Sequence, residues 1–432
     1  MSKINKSHSV KKNLTEWLSY LENIHSIEID LGLRRISQVA QTLNISFPHS
    51  KVITVAGTNG KGTTCAFLEN AFLAQNKTCA VYSSPHIEKF NERLRINRLD
   101  IDDNALIMAF EKIESARGDI SLSYYEYTTL AAFVILMLER PDVVILEVGL
   151  GGRLDATNIV DTDLAVITTI DLDHQGFLGD TREAIGYEKA GIMRANTPVV
   201  IGDINPPSSL TAYAKTSGAV AYIRKQHFTI ETASNGLWSW TSTCPETNAN
   251  KAYNDLSCSH IPQDNIATAI MVLNILAEDL SLTLNTAFIN NIIENTKVPG
   301  RIEKFIGNSD IILDVAHNPQ AARYLATQLR EMKYTHIYAV VGMLLDKDIE
   351  NTITPLTSHV DKWFFGTLDA YRGCEAKKLA EVAPIDRHKV NCFDNVTQAF
   401  RIATQNAKKN DLILVFGSFY TVAEIRRLLV TS

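Results

Sequence analysis

The chain has 432 residues, more than a single hydrophobic core ordinarily serves, so two domains are expected. With 45% hydrophobic and 21% charged residues, its composition is that of an ordinary globular protein, neither disordered nor membrane-embedded. The formal net charge of -6, without any lysine/arginine stripe, excludes a general nucleic-acid binder, which needs a concentrated basic face.

The first residues, MSKINKSHSVKKNL, are basic and polar without an apolar core, and read as an arm or helix lead-in, not as a signal peptide. Lys51–Ala56 reads as a buried strand, followed by GTNGKGT (57–63) and an apolar helix. A phosphate loop requires that context. Gly57, Gly60 and Gly62 let backbone N–H groups converge, the helix adds its positive N-terminal end, and Lys61 adds a full charge. The spacing departs from the standard phosphate-loop motif: two residues separate Gly57 from Gly60, and a glycine follows Lys61. Thr63 or Thr64 is left to supply any hydroxyl.

The strand Thr78–Tyr82 delivers Ser84 and His86 to its end, within YSSPHIEKFNERLRIN (82–97). Helical patterns follow at Asp102–Arg117 and Tyr127–Glu139; the apolar run Leu130–Leu138 is far too short to cross a membrane. The strand Val143–Val148 carries Glu147 near its end, ahead of a glycine-rich loop with Arg153 and Asp155. Ligands of open parallel sheets sit beyond the carboxyl ends of the strands, so Glu147 is aimed at the edge that holds the phosphate loop. A carboxylate there can hold Mg²⁺ or pair with a nearby arginine. The strand Leu164–Ile170 leads to Asp173 and His174; magnesium prefers oxygen, so the histidine reads equally as ligand or structural group. REAIGYEKAGIMR (182–194) puts Lys189 on a helix with Glu183 and Glu188, by pattern a solvated, salt-bridged face. Pro198–Gly202 is the last strand of this half.

From about Pro206 to Pro262 the chain turns rich in Ser, Thr and Asn with alternating pieces such as LWSWTS, which predicts a small β-rich insertion over 203–260. Helices return at Gln263–Leu280 and Thr286–Thr296. TKVPGRIE (296–303) holds a proline–glycine turn and marks the junction between a domain over 1–296 and a second over 300–432. The second repeats the alternation: strand Ile311–Val315, helix Gln320–Met332, strands Ile337–Val341 and Lys362–Gly366, helices Ala376–Ala383 and Val396–Lys408, strand Leu412–Phe416 and helix Val422–Val430. Asp314, His317 and Asn318 repeat the strand-end pattern, which predicts a cleft between the domains. The fold class is therefore α/β: a mostly parallel, phosphate-loop-type sheet with helices on both faces, then a smaller Rossmann-like domain. Six scattered cysteines without CxxC pairing disfavour a zinc knuckle or a disulfide framework and fit a reducing cytoplasm.

GTNGKGT, SSPHIEKFNERLRIN, YYEYTTLAAF, EVGLGGRLDATN, DHQGFLG, EKAGIMR, PGRIE, DVAHNP and VFGSFYTVAEI resemble, in order, the Mur ligase superfamily, and most closely its folate branch, the bifunctional dihydrofolate synthase/folylpolyglutamate synthases. The resemblance covers nearly the whole chain apart from about 203–260. It implies an ATP-dependent ligase that adds L-glutamate to dihydropteroate and to reduced folates through an acyl phosphate. A monofunctional folylpolyglutamate synthase and a Mur-type cell-wall ligase are the alternatives. It also implies that Gly57, Thr58, Asn59, Gly60, Lys61, Gly62 and Thr63 cradle the phosphates of ATP, with Asn265, Arg301, Asp314 and His317 as further ATP contacts. Mg²⁺ is implied at Ser84, Glu147 and His174, with a carbamate on Lys189 attending a second ion. Unit charges 4 Å apart at an effective dielectric of ~20 interact by about 4 kcal/mol, so a bare ammonium would repel that ion and a carbamate attract it. The pterin is implied at Asp30, Leu31, Gly32 and Leu33, at Ser123, Tyr124, Tyr125 and Glu126, and at Leu154, Asp155 and Ala156; Ser418 is the candidate for receiving glutamate. Lys61, Glu147, His174 and Lys189 would carry the chemistry, in a monomer without nucleic-acid or membrane partners.

Overall fold

The computed structural model describes residues 12–25, 30–243, 250–370 and 372–430; most of the expected N-terminal arm, and Cys244, lie outside them. Among the described residues, β1 (Lys51–Ala56), β2 (Cys79–Tyr82), β3 (Leu94–Ile96), β4 (Leu99–Asp100), β5 (Val143–Glu147), β6 (Leu164–Ile167), β7 (Pro198–Ile201) and β8 (Val220–Ile223) form one sheet in the order β4-β3-β2-β5-β1-β6-β7-β8. All neighbours are parallel except the β2, β3, β4 edge, which is antiparallel. The phosphate-loop strand β1 sits between β5 and β6, with Val55 level with both Glu147 and Val166. That register puts the carboxyl ends of the three strands on one line. β5 is buried on both faces, as an interior strand of a covered parallel sheet must be.

One face is covered by the helices Lys61–Ala74 and Gln263–Leu276, whose buried Phe67, Phe72, Ile266 and Ile270 join one core. The other is covered by Asp103–Arg117 and Tyr124–Glu139, through Phe110, Tyr127 and Phe133. The latter helix starts three residues before the expected Tyr127, because Ser123 caps it: its hydroxyl accepts from Glu126 N, and the Glu126 carboxylate accepts from Ser123 N.

The β-rich insertion is smaller than expected. Residues 208–223 continue the main sheet as the helix Ser208–Ser217 and β8; only β9 (Phe228–Thr232), β10 (Trp238–Thr243) and β11 (Asn250–Leu256) form a separate antiparallel sheet. Trp240 anchors it, its indole N–H donating to the Ala267 carbonyl at 3.1 Å. After the turn at Gly300, β12 (Glu303–Phe305), β13 (Asp310–Asp314), β14 (Ile337–Val341), β15 (Lys362–Gly366), β16 (Val390–Phe393) and β17 (Leu412–Phe416) build the second sheet, in the order β12-β13-β17-β14-β15-β16. It is parallel apart from the β12 edge. Among the described residues, no helix is long and apolar enough to cross a membrane.

Candidate active site

The phosphate loop is shaped by its glycines. Gly57 has φ +150°, and a Cβ there would fall 1.8 Å from Thr168 Oγ1; Gly60, at φ +87°, would put one 2.5 Å from Asn265 Oδ1. Both positions need a left-handed backbone and have no room for a side chain. The Asn265 amide donates to Thr63 Oγ1 at 2.8 Å, and Thr63 Oγ1 donates to the Gly60 carbonyl at 2.9 Å, so the loop is braced from the helix Gln263–Leu276. The Lys61 ammonium folds back to donate to the Gly57 carbonyl at 3.0 Å.

Lys189 reaches the same carbonyl, also at 3.0 Å. It is only 5% exposed, contrary to the solvated face its helical pattern suggested. The helix Arg182–Ala190 turns Lys189 inward toward the sheet edge and leaves Glu183 and Glu188 outside, bonded to Ser208 and Ser209 and to Arg153. Burial first, and the Lys61 charge second, lower the Lys189 pKa to about 7. A large neutral-amine fraction therefore exists near neutral pH.

Glu147 is 8% exposed and has no hydrogen-bond partner among the described residues. Burial raises its pKa against the pull of Lys61, Arg301 and Arg95. A buried, unpartnered carboxylate facing a phosphate loop fits a divalent cation by the chemistry of its donor set. Ser84, Glu147, His174 and Lys189 share one cavity of about 760 Å³ with the loop and, from the second domain, with Arg301, Asp314, His317 and Ser418. Among the described residues no group of three or more His, Cys, Asp or Glu is gathered to hold a metal, and of the four expected ligands only Glu147 and His174 are of those types. A magnesium ion bound by one or two side chains, with phosphate and water completing its shell, needs no such cluster.

The second domain closes the cavity through strand ends that are themselves tied down. Asp314 accepts from Ile302 N at 2.9 Å and Ala316 N at 2.8 Å. Ser418 caps the last helix, accepting from Thr421 N at 3.0 Å, which starts that helix at Phe419 instead of the expected Val422. Across the domain boundary Asp173 gathers the Lys347 ammonium at 2.8 Å, the Asn318 amide at 3.3 Å and His317 Nε2 at 3.6 Å. Burial pushes Asp173 up, but His317, His174 and Lys347 pull it further down, well below the usual carboxylate range. Lys347 escaped the sequence reading. The strand-end rule, carried past β14 into LLDKD (344–348), would have found it.

The residues expected on the pterin side lie off this cavity's walls, linked to it through Tyr125, whose hydroxyl accepts from Gly149 N at 3.1 Å. Asp155 spends its carboxylate on the loop itself, accepting from Leu150 N, Thr157 N and the Thr157 hydroxyl at 2.8, 3.0 and 2.7 Å. Asp30 pairs with Arg35 at 2.6 Å, and Arg35 with Glu126 at 3.1 Å. Among the described residues, one Glu126 oxygen and the Arg35 Nε are buried without a hydrogen-bond partner. Leu31, Gly32 and Leu33 lead from Asp30 into the helix Arg34–Leu43, Tyr124 packs on Phe90, and Leu154 and Ala156 flank Asp155.

Residues 55–238 match the Mur ligase middle domain, and residues 300–419 match the glutamate ligase domain of Mur ligases. The Escherichia coli dihydrofolate synthase/folylpolyglutamate synthase is 44% identical over 415 residues, which cover 95% of this chain and 94% of that protein. Escherichia coli FolC, solved in complex with DHPP and ADP, superposes with a TM-score of 0.90 at 42% identity, over 97% of this chain and 98% of that one. A bifunctional folylpolyglutamate synthase/dihydrofolate synthase solved with Mn, AMPPNP and L-glutamate bound gives 0.88 at 42% identity, over the same shares of 97% and 98%.

Proposed function

The chain belongs to the Mur ligase family, among the dihydrofolate synthase/folylpolyglutamate synthases, and from that premise we propose that it joins L-glutamate to dihydropteroate and to reduced folates at the expense of ATP. The observation that carries the reading is the meeting, on one cavity, of a phosphate loop, a buried unpartnered Glu147 and the strand ends of a second domain.

A carboxylate does not condense with an amine in water, because its oxygen is a poor leaving group. Moving the γ-phosphoryl of ATP onto it gives an acyl phosphate; the glutamate amine then adds to the carbonyl carbon, and inorganic phosphate leaves. Lys61 releases its carbonyl and neutralises the phosphates, Arg301 adds charge from the second domain, and the loop amides orient the chain of oxygens. Glu147, with Ser84 and His174, would hold Mg²⁺, which when bound neutralises charge on the transferring phosphoryl group. Lys189 would carry a carbamate; its lowered pKa supports this, since only a neutral amine adds to CO₂. Ser418 and Lys347 line the same cavity from the second domain, and we assign them to receiving the glutamate. We read the enzyme as a cytoplasmic monomer; the free state of every described cysteine supports a reducing setting.

The test offers dihydropteroate and tetrahydrofolate separately, with ATP, Mg²⁺ and glutamate, and follows released phosphate and product mass. Both substrates should gain glutamate with matching phosphate release. Gain with tetrahydrofolate alone would reduce the enzyme to a monofunctional folylpolyglutamate synthase, and no glutamate-dependent phosphate release with either would end the folate reading.

A further inference from the structure

Asn59 belongs to the phosphate loop, yet its side chain is bonded to the second domain. Its amide nitrogen donates to Asn318 Oδ1 at 3.2 Å and to Gln320 Oε1 at 2.5 Å, while the Asn318 amide donates back to Asn59 Oδ1 at 3.0 Å. Its backbone is engaged as well: the carbonyl accepts from the Thr168 and Thr169 hydroxyls at 2.6 and 3.1 Å. Thr169 also donates to Gln320 Oε1, at 3.3 Å. Asn318 caps the helix Pro319–Glu331, and Gln320 stands in its first turn. Two amides of the second domain thus grip one side chain of the phosphate loop and one strand-end hydroxyl of the first.

The geometry points to Gln320 as a positioning residue: together with Asn318 it holds Asn59, and so sets the second domain's first helical turn over the phosphate loop, where the glutamate amine must arrive. This rests on the ligase reading above. The amides are neutral, with Asn59 and Gln320 at the cavity wall and Asn318 buried behind them, so their bonds supply direction more than energy; a methylene of misplacement is enough to lose them. A second domain held loosely admits water to the acyl phosphate. Water then attacks it in place of the amine, returning the free carboxylate and inorganic phosphate with no amide formed.

The experiment compares full-length wild type with Gln320→Met, close in volume but without the acceptor, and with Gln320→Asn, which keeps the amide but falls short. Phosphate and amide product are counted in the same reaction with ATP, Mg²⁺, tetrahydrofolate and glutamate. Wild type should release one phosphate per amide bond. The variants should release about two or more, with KM for glutamate raised ~5-fold and ATP affinity within ~2-fold of wild type. One-to-one stoichiometry with unchanged KM for glutamate in both variants would overturn the proposal, as would a loss of ATP affinity in parallel with activity, which would make Gln320 part of nucleotide binding. If Gln320→Met does not fold, Gln320→Asn decides. A wild type without glutamate-dependent phosphate release would instead defeat the ligase reading itself.

Discussion

Lys189 shows how far a residue's chemistry depends on what surrounds it. Its helical neighbours, Glu183 and Glu188, suggest a solvated lysine, whereas the fold buries it against Gly57 and beside Lys61. Lys189→Ala should lower ligation at least ~10-fold, and bicarbonate or a short carboxylate should restore part of it; full activity in the variant would remove the carbamate. The same burial has a sign in stability. A folded pKa of about 7 lies below the ordinary lysine value of 10.5, so between them the unfolded chain binds more protons and this residue's contribution to stability rises with pH. In CO₂-free buffer the unfolding midpoint of wild type should therefore gain on that of Lys189→Met as pH rises from about 7 to about 9. Parallel profiles would show that Lys189 does not titrate in this window. Glu147 and His174 were legible as strand-end groups; the unpartnered state of Glu147 was not, because it depends on which arginines fail to reach it.

At the scale of elements, the strand, loop and helix of residues 51–74 were readable because glycine spacing and hydrophobic pattern agree over a short stretch. The structure adds the reason for each glycine. Gly60→Ala forces a side chain onto a left-handed backbone at φ +87° and against Asn265. It should cost about 1–3 kcal/mol in a denaturant titration and weaken ATP binding measured calorimetrically; wild-type values in both would show that the loop has slack. Helix starts at Tyr124 and Phe419 were placed late because Ser123 and Ser418 act as caps, and a serine before an apolar run is a weak signal on its own. The small sheet of β9 to β11 was bounded too generously for a related cause. Residues 208–223 share its polar texture but pair with β7, and strand pairing is a long-range choice.

For the whole molecule, the relation between the domains concentrates in Asp173. Its side chain is 11% exposed and that of Lys347 9%, so removing either strips a nearly buried charge of its nearest opposite charge. Asp173→Asn and Lys347→Met should each lower stability by about 3–5 kcal/mol, and the double variant should cost clearly less than their sum. Additive losses in thermal unfolding would mean that the pair does not hold the domains. Two domains with a cleft between them were expected from the repeated strand-end pattern, and the partition into two α/β sheets follows it.

The amino-acid sequence by itself determined the alternation of strands and helices, the phosphate loop and the candidate groups at strand ends, because these rest on local pattern and on a rule that needs only strand direction. Only the tertiary structure decided that Lys189 is buried with a lowered pKa, that Asp155 and Ser418 spend their side chains on their own loops, and that Asn59 is held by Asn318 and Gln320. The physical reason is common to all of these. Desolvation and hydrogen-bond satisfaction depend on atoms brought close from segments far apart in the chain, 132 positions for Lys189 and Gly57 and 261 for Asn59 and Gln320.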